Sequence, residues 1–240
     1  MSNRPSDGGM MAAALLVLCA ALAPAAQAQV GHNPLHSPYR DLRVHHQFTF
    51  SGGYLAGGGG AAGVGPRQGP LGGVRYSLSL SAPLELTGAV YDGQLTRHLL
   101  DPTAAPNKRD LGTATQTVLI ADVGFNLRIT GAKTWHGLLP YVGFSMGIAD
   151  GGAVTEDNSG FSFNRPFQFG PHLGVRYYQG SSISLWVEGW DPMWRLRYPL
   201  AFFSTSVTGA APVLDPSVYK QTQWVHNPTL LIGLGITFGS

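Results

Sequence analysis

A serine hydrolase needs a hydroxyl within hydrogen-bond reach of an imidazole, and a carboxylate to orient that imidazole. In this sequence His172 with Glu188 or Asp122 could supply the base and its orienter, and Ser145 or Ser184 the nucleophile. Gly143-Phe144-Ser145-Met146-Gly147 spells Gly-x-Ser-x-Gly, but it lies within a segment that alternates as a strand, so no strand-to-helix elbow is expected to hold such a serine. Metal signals are thin. His45 and His46 are adjacent, so on a strand they point to opposite faces, and His32 and His36 have the spacing of a helical chelate but flank Pro34. Gly57–Gly60 has the composition of a phosphate loop without the Gly-Lys-Ser/Thr that should follow. No metal and no cofactor is therefore expected. A formal net charge of +2 built from scattered residues of both signs leaves no basic patch for nucleic acid.

What could position these residues follows from the hydropathy pattern. The chain has 240 residues with 33 glycines and 17 prolines, which disfavours a helical bundle, and only 12% of its residues are charged against 44% apolar. Outside the N-terminus no run of 18 apolar residues occurs, so no transmembrane helix is expected. Period-two alternation occurs instead. Leu230, Ile232, Leu234, Ile236 and Phe238 alternate with Leu231, Gly233, Gly235 and Thr237, and Leu119, Ala121, Val123, Phe125, Leu127 and Ile129 alternate with Ile120, Asp122, Gly124, Asn126 and Arg128.

The same rule marks eight strands: Arg43–Gly57, Leu71–Ser81, Leu84–Leu99, Thr117–Thr130, Leu138–Ile148, Pro166–Tyr178, Ile183–Tyr198 and Asn227–Phe238. Each supplies the roughly 9–11 residues of a tilted membrane-crossing strand. Short links at Ala82-Pro83, Gly131–Gly137 and Gln179–Ser182 alternate with long ones at Gly58–Pro70, Leu100–Gln116, Ala149–Arg165 and Pro199–His226. This is the plan of an all-β, eight-stranded antiparallel up-and-down transmembrane barrel with both termini at the periplasmic end. A soluble barrel with the apolar face inward would share the alternation, but its outer strand surface would carry lysine. Lys108, Lys133 and Lys220, the only lysines, all fall in connections.

With the apolar face toward lipid, strand parity turns Arg43, His45, Arg75, Glu85, Asp122, Arg128, His172, Arg176 and Glu188 into the lumen. Arg43, Glu85, Arg128 and Arg176 should lie low, and Arg75, Asp122, His172 and Glu188 nearer mid-barrel, with Glu188 and Asp122 facing Arg75 and His172. Unpaired charges in so narrow a space are costly, so ion pairs that plug the lumen are expected. The same groups could line a narrow solute path, or in principle a catalytic site. Tyr54, Tyr141, Tyr177, Trp190, Trp194 and Tyr198, near strand ends, are expected at the membrane interfaces. Parity puts Arg195 and Arg197 on the lipid side at the outer end of the seventh strand, where with Trp190 and Trp194 they could meet lipopolysaccharide phosphates, unless Pro192 introduces a bulge. The long last loop carries Phe202, Phe203, Tyr219 and Trp224 and could fold over the barrel mouth or bind a partner.

On these residues the sequence resembles the small eight-stranded outer-membrane barrels, such as the transmembrane domain of outer membrane protein A and its short relatives, over Arg43 to Phe238. The row Leu230, Ile232, Leu234, Ile236 and Phe238 looks like the C-terminal signal by which the barrel-assembly machinery recognises its clients. The resemblance implies a monomer in an outer membrane, in contact with lipid and lipopolysaccharide, with a structural or surface-contact role. Some small barrels act on lipid A acyl chains, but this sequence lacks the His-x-Ser element of the deacylases.

The N-terminus fits that destination. Met10–Ala23 is apolar and follows Arg4, and Ala26-Gln27-Ala28 has the form of a signal-peptide cleavage site. Residues 1–28 are expected to be a secretory signal, 29–42 a periplasmic leader and 43–238 the barrel. Cys19, the single cysteine, lies in the signal, so no disulfide is expected after export.

Overall fold

A computed structural model describes residues 37–180, 182–206 and 209–238. Residues 1–36, with the expected signal sequence and Cys19, His32 and His36, lie outside the described residues. Twelve strands form: β1 (Tyr39–Asp41), β2 (His46–Ala56), β3 (Gln68–Ser79), β4 (Leu84–Leu100), β5 (Asp110–Arg128), β6 (Lys133–Trp135), β7 (Leu138–Gly151), β8 (Phe167–Gln179), β9 (Ile183–Trp190), β10 (Met193–Arg197), β11 (Thr222–Val225) and β12 (Thr229–Phe238). Eight of them, in the order β2, β3, β4, β5, β7, β8, β9 and β12, pair antiparallel with their neighbours. The sheet closes where Thr229↔Leu55 through Phe238↔His46 join β12 to β2. Closure leaves no open edge among these eight, which is the condition for a sheet in lipid.

Two strands are interrupted without slipping. β8 pairs His172↔Trp190 with β9 and Phe169↔Met193 with β10, three residues further on along both chains, so β10 continues the seventh barrel strand. Likewise Thr229↔Trp190 and Val225↔Trp194 make β11 a continuation of β12. The interruptions fall at Asp191-Pro192 and at Asn227-Pro228, where proline cannot donate to the ladder. Asp191 and Asn227 bind across the gap: the Asn227 amide donates to Asp191 Oδ1 at 2.8 Å, and Asn227 Nδ2 donates to the Pro192 carbonyl at 2.7 Å. Pro192 therefore leaves parity intact. The last connection, expected to run from Pro199 to His226, gives up Thr222–Val225 to this extension.

Polarity inverts along the barrel. On β5 the outward residues Leu127, Phe125, Val123, Ala121 and Leu119 give way to Thr117, Thr115 and Thr113, while the inward ones change from Arg128, Asn126 and Asp122 to Ile120 and Val118. β4 repeats the change, from Leu84, Leu86 and Val90 outside to Asp92, Gln94 and Thr96. The half near the short turns is thus apolar outside and polar inside, the pattern of a membrane belt. The half near the long loops has an apolar core in which Leu55, Leu71, Leu95, Val118 and Ile120 pack with the loop residues Val64, Phe161, Phe163, Phe202 and Leu214. Phe202, on a 3-10 turn at Leu200–Phe203, is fully buried, so the last loop does fold into the barrel mouth. A buried ion pair between Arg97 on β4 and Asp157 fastens the loop that carries Phe161 and Phe163.

The turn end is closed as well. β1 pairs with β6, in the turn between β5 and β7, and the chain then crosses the mouth to reach β2, between β3 and β12. The Leu42 amide donates to the Ala132 carbonyl at 2.8 Å, and Leu42 and Val44 pack on Leu139 and Tyr178 beneath the lumen. This crossing corrects one expectation. The chain bends at His45 before β2 begins, so Arg43 lies on an irregular, exposed segment outside the lumen and Val44 is the residue that turns inward.

Candidate functional site

The lumen of the belt half is filled by two linked tiers of polar side chains. In the tier nearer the turns, Glu85 accepts from Arg176 Nη1 at 2.8 Å and from Asn126 Nδ2 at 3.2 Å, with Arg128 Nη1 at 3.7 Å. Arg128 also donates to the Ser81 carbonyl at 2.6 Å, and the Arg176 guanidinium lies 4.8 Å from the Tyr141 ring centre. In the middle tier Glu188, with 0% exposure, accepts two bonds from Arg75, at 2.5 and 2.8 Å, and a third from the Tyr141 hydroxyl at 2.7 Å. Trp186 Nε1 donates to the same hydroxyl, and Arg75 stacks on the Trp186 ring at 4.8 Å. Such a fork with an added neutral donor satisfies most of what a buried carboxylate demands. His172 Nε2 is 2.7 Å from Asn126 Oδ1, which ties the middle tier to Glu85.

Register explains how side chains on non-adjacent strands meet. Asn126 on β5 and His172 on β8 both pair with Gly143 of the intervening β7. Tyr141 on β7 and Glu188 on β9 both pair with Gly174 of β8. The missing side chain opens the path: a Cβ at Gly143 would collide with the His172 ring, and one at Gly174 with the Tyr141 hydroxyl. Gly235 does the same where Gln47 Nε2 donates to Ser184 Oγ at 2.6 Å. Inward glycines are therefore gaps through which hydrogen bonds span a whole strand.

Seven of the nine residues expected in the lumen are buried there, and the exceptions, Arg43 and His45, are both exposed on the segment before β2. Their partners differ in part from expectation. Glu188 takes Arg75, whereas His172 turns to Asn126, and both Asp122 carboxylate oxygens are buried without a hydrogen-bond partner. Asn126, Tyr141 and Trp186 belong to the network and were missed, although Asn126 shares the parity of Asp122, Trp186 that of Glu188 and Tyr141 that of Ser145. Four of the aromatics expected at the interfaces, Tyr141, Trp190, Trp194 and Tyr198, are at most 2% exposed and point inward, while Tyr54 and Tyr177 face outward. Trp190 and Trp194 therefore cannot accompany Arg195 and Arg197. Those arginines are on the outer face as expected, beside a cleft of about 430 Å³, and exposed Trp224 pairs with Arg195 across β10 and β11.

The structure does not join the histidine and serines singled out as a hydrolase set. His172 Nε2 is engaged by an amide, Ser184 Oγ accepts from Gln47, and Ser145 Oγ is bonded to neither the imidazole nor a carboxylate. Among the described residues no group of three or more His, Cys, Asp or Glu is placed to hold a metal ion. In the loops, Asp101 and Asp215 sit below the usual carboxylate range because the hydroxyl and amide of Thr103 and of Ser217 bind them, an arrangement that shapes turns.

No protein-family model matches the sequence, and no curated protein matches it. Among solved structures the fold is similar to Neisserial surface protein A, with a TM-score of 0.51 and 11% identity over 84% of this chain and 98% of that one. The outer membrane protein OprG from Pseudomonas aeruginosa aligns with a TM-score of 0.49 and 14% identity over 83% of this chain and 99% of that one. The chain has the fold of a small eight-stranded outer-membrane β-barrel.

Gly143→Ala is expected to destabilise the barrel by about 1–3 kcal/mol, the usual cost of overpacking. Gly189→Ala on the outer face, where an added Cβ meets nothing within 4 Å, should be near neutral. Urea unfolding in lipid vesicles checks both.

Proposed function

We propose that this chain is an integral outer-membrane protein whose barrel is a closed anchor, with a structural or surface-contact role carried by the long loops at one end. The observation that carries this reading is the filled lumen. Two tiers of paired charges occupy the belt half, an apolar core occupies the loop half, and the leader crosses the turn end. Eight strands enclose about as much interior as side chains can fill. The reading assigns the polar groups to packing and specificity within the barrel, without catalysis. In planar lipid bilayers the purified protein is expected to give no steady conductance. Regular conductance steps that change with Glu188→Gln would overturn the closed-anchor reading in favour of a narrow solute channel.

A second contact is supported by Arg195 and Arg197. They face outward beyond the loop-side edge of the apolar belt, and Arg195 spends one donor on Thr222 Oγ1 at 2.9 Å, leaving the rest of its guanidinium for an anion. Trp224, edge-on to Phe169 with ring centres 5.1 Å apart, supplies the neighbouring aromatic surface. In this reading the two arginines bind lipopolysaccharide phosphates, to which guanidinium forks are suited. Arg195→Ala combined with Arg197→Ala should lower lipopolysaccharide co-purifying with the barrel severalfold; unchanged retention would reject the contact.

A further inference from the structure

The polar network satisfies Glu85 and Glu188 and leaves Asp122 out. Asp122 is 7% exposed, and neither of its oxygens has a hydrogen-bond partner. A buried carboxylate in that condition is among the costliest groups a protein can hold, so a compensating charge or proton is required. The surroundings favour a charge. Gly147 on β7 pairs with Asp122 of β5 on one side and with Gln168 of β8 on the other, the arrangement that elsewhere in this barrel joins two side chains across a glycine. Here the pair is not joined: Gln168, with 0% exposure, has both Oε1 and Nε2 unpartnered. Ser145, the next inward residue toward the turn end on β7, is 2% exposed and its Oγ is unpartnered too. Three side chains around one inward glycine thus present four unengaged oxygens and no thiol or imidazole among them, the donor set of a hard cation.

Charge decides the valence. Arg75 in the middle tier is matched one to one by Glu188, and Arg97 in the loop half by Asp157, so Asp122 keeps a single negative charge to which no cationic side chain is bonded. The two arginines on Glu85 lie in the other tier, bonded or close to that carboxylate. We propose that Asp122, Gln168 and Ser145 form a buried site for one monovalent alkali cation, seated over Gly147 and locked in when the barrel closes. The site is independent of any external ligand and of the closed-anchor reading, since a conducting barrel could hold it equally. Gln168 Nε2 would remain for a water shared with the ion.

The test uses the full chain refolded from urea into detergent micelles, with rubidium chloride as the probe. Crystals grown from this material should give a rubidium anomalous peak within coordination distance of Asp122, Gln168 and Ser145. In urea titrations at constant ionic strength, replacing choline chloride by sodium or rubidium chloride should stabilise the wild type, with the folded-to-unfolded ratio rising about tenfold per decade of cation above its dissociation constant. Asp122→Asn should remove that dependence. If Asp122→Asn does not fold, Ser145→Ala, which removes one donor, should weaken the dependence, and the anomalous peak in the wild type decides alone. Water without anomalous signal at the site, or equal stability in choline and alkali salts, would overturn the proposal; the bilayer conductance measurement is unaffected by either result.

Discussion

Glu188 sits with 0% exposure in the middle of a tube whose outer wall is apolar, and it is held by two bonds from Arg75 and one from Tyr141. A charge in that position has no water to fall back on, so its partners must arrive with the right geometry or the barrel cannot close around it. Each further contact in the lumen follows from this demand. Tyr141 reaches Glu188 because Gly174 leaves the way open, Trp186 donates to the Tyr141 hydroxyl and stacks with Arg75, and Arg176, bonded to Glu85, stacks on the Tyr141 ring. The network works as a register lock: slipping any one strand by a residue would turn its share of these groups onto the apolar outer face.

The polarity inversion along β4 and β5 divides the labour. In the belt half the outside is apolar and specificity comes from charges inside; in the loop half the outside is polar and an ordinary apolar core forms inside. The two regimes meet near Asp122, where the inward residues of β5 change to Ile120 and Val118. That boundary is where a carboxylate is left without a protein partner, both Asp122 oxygens being buried without a hydrogen bond. Loop residues such as Phe161, Phe163 and Phe202 belong to the core rather than to the surface, so the loops are tied to the barrel at their bases.

Strand alternation made most of the fold legible, because in a closed barrel every residue has only two choices and Leu230, Ile232, Leu234, Ile236 and Phe238 leave no doubt which face is which. It also set the depth order of Arg75, Glu85, Arg128, Arg176 and Glu188. Choice of partner was not legible, because it depends on which strand between two residues carries a glycine, and that requires the register. Hence Asn126 and Tyr141 were passed over and Asp122 was paired with groups that bind elsewhere. Trp190 and Trp194 share the even parity of Glu188, but aromatic residues near strand ends are so common at interfaces that composition outweighed parity. Arg43 failed for a different reason: a bend at His45 ends the alternation, and nothing in the residue types there marks it.

If a buried, fully engaged Glu188 is what specifies this barrel, then removing its charge alone must be far worse than removing the pair. Urea unfolding in lipid vesicles of Glu188→Gln, set beside the joint replacement Arg75→Met with Glu188→Leu, measures this directly. The account predicts a loss of about 3–5 kcal/mol for Glu188→Gln, which strands a buried guanidinium, and recovery of most of that loss in the double variant. A Glu188→Gln barrel as stable as the wild type would contradict it.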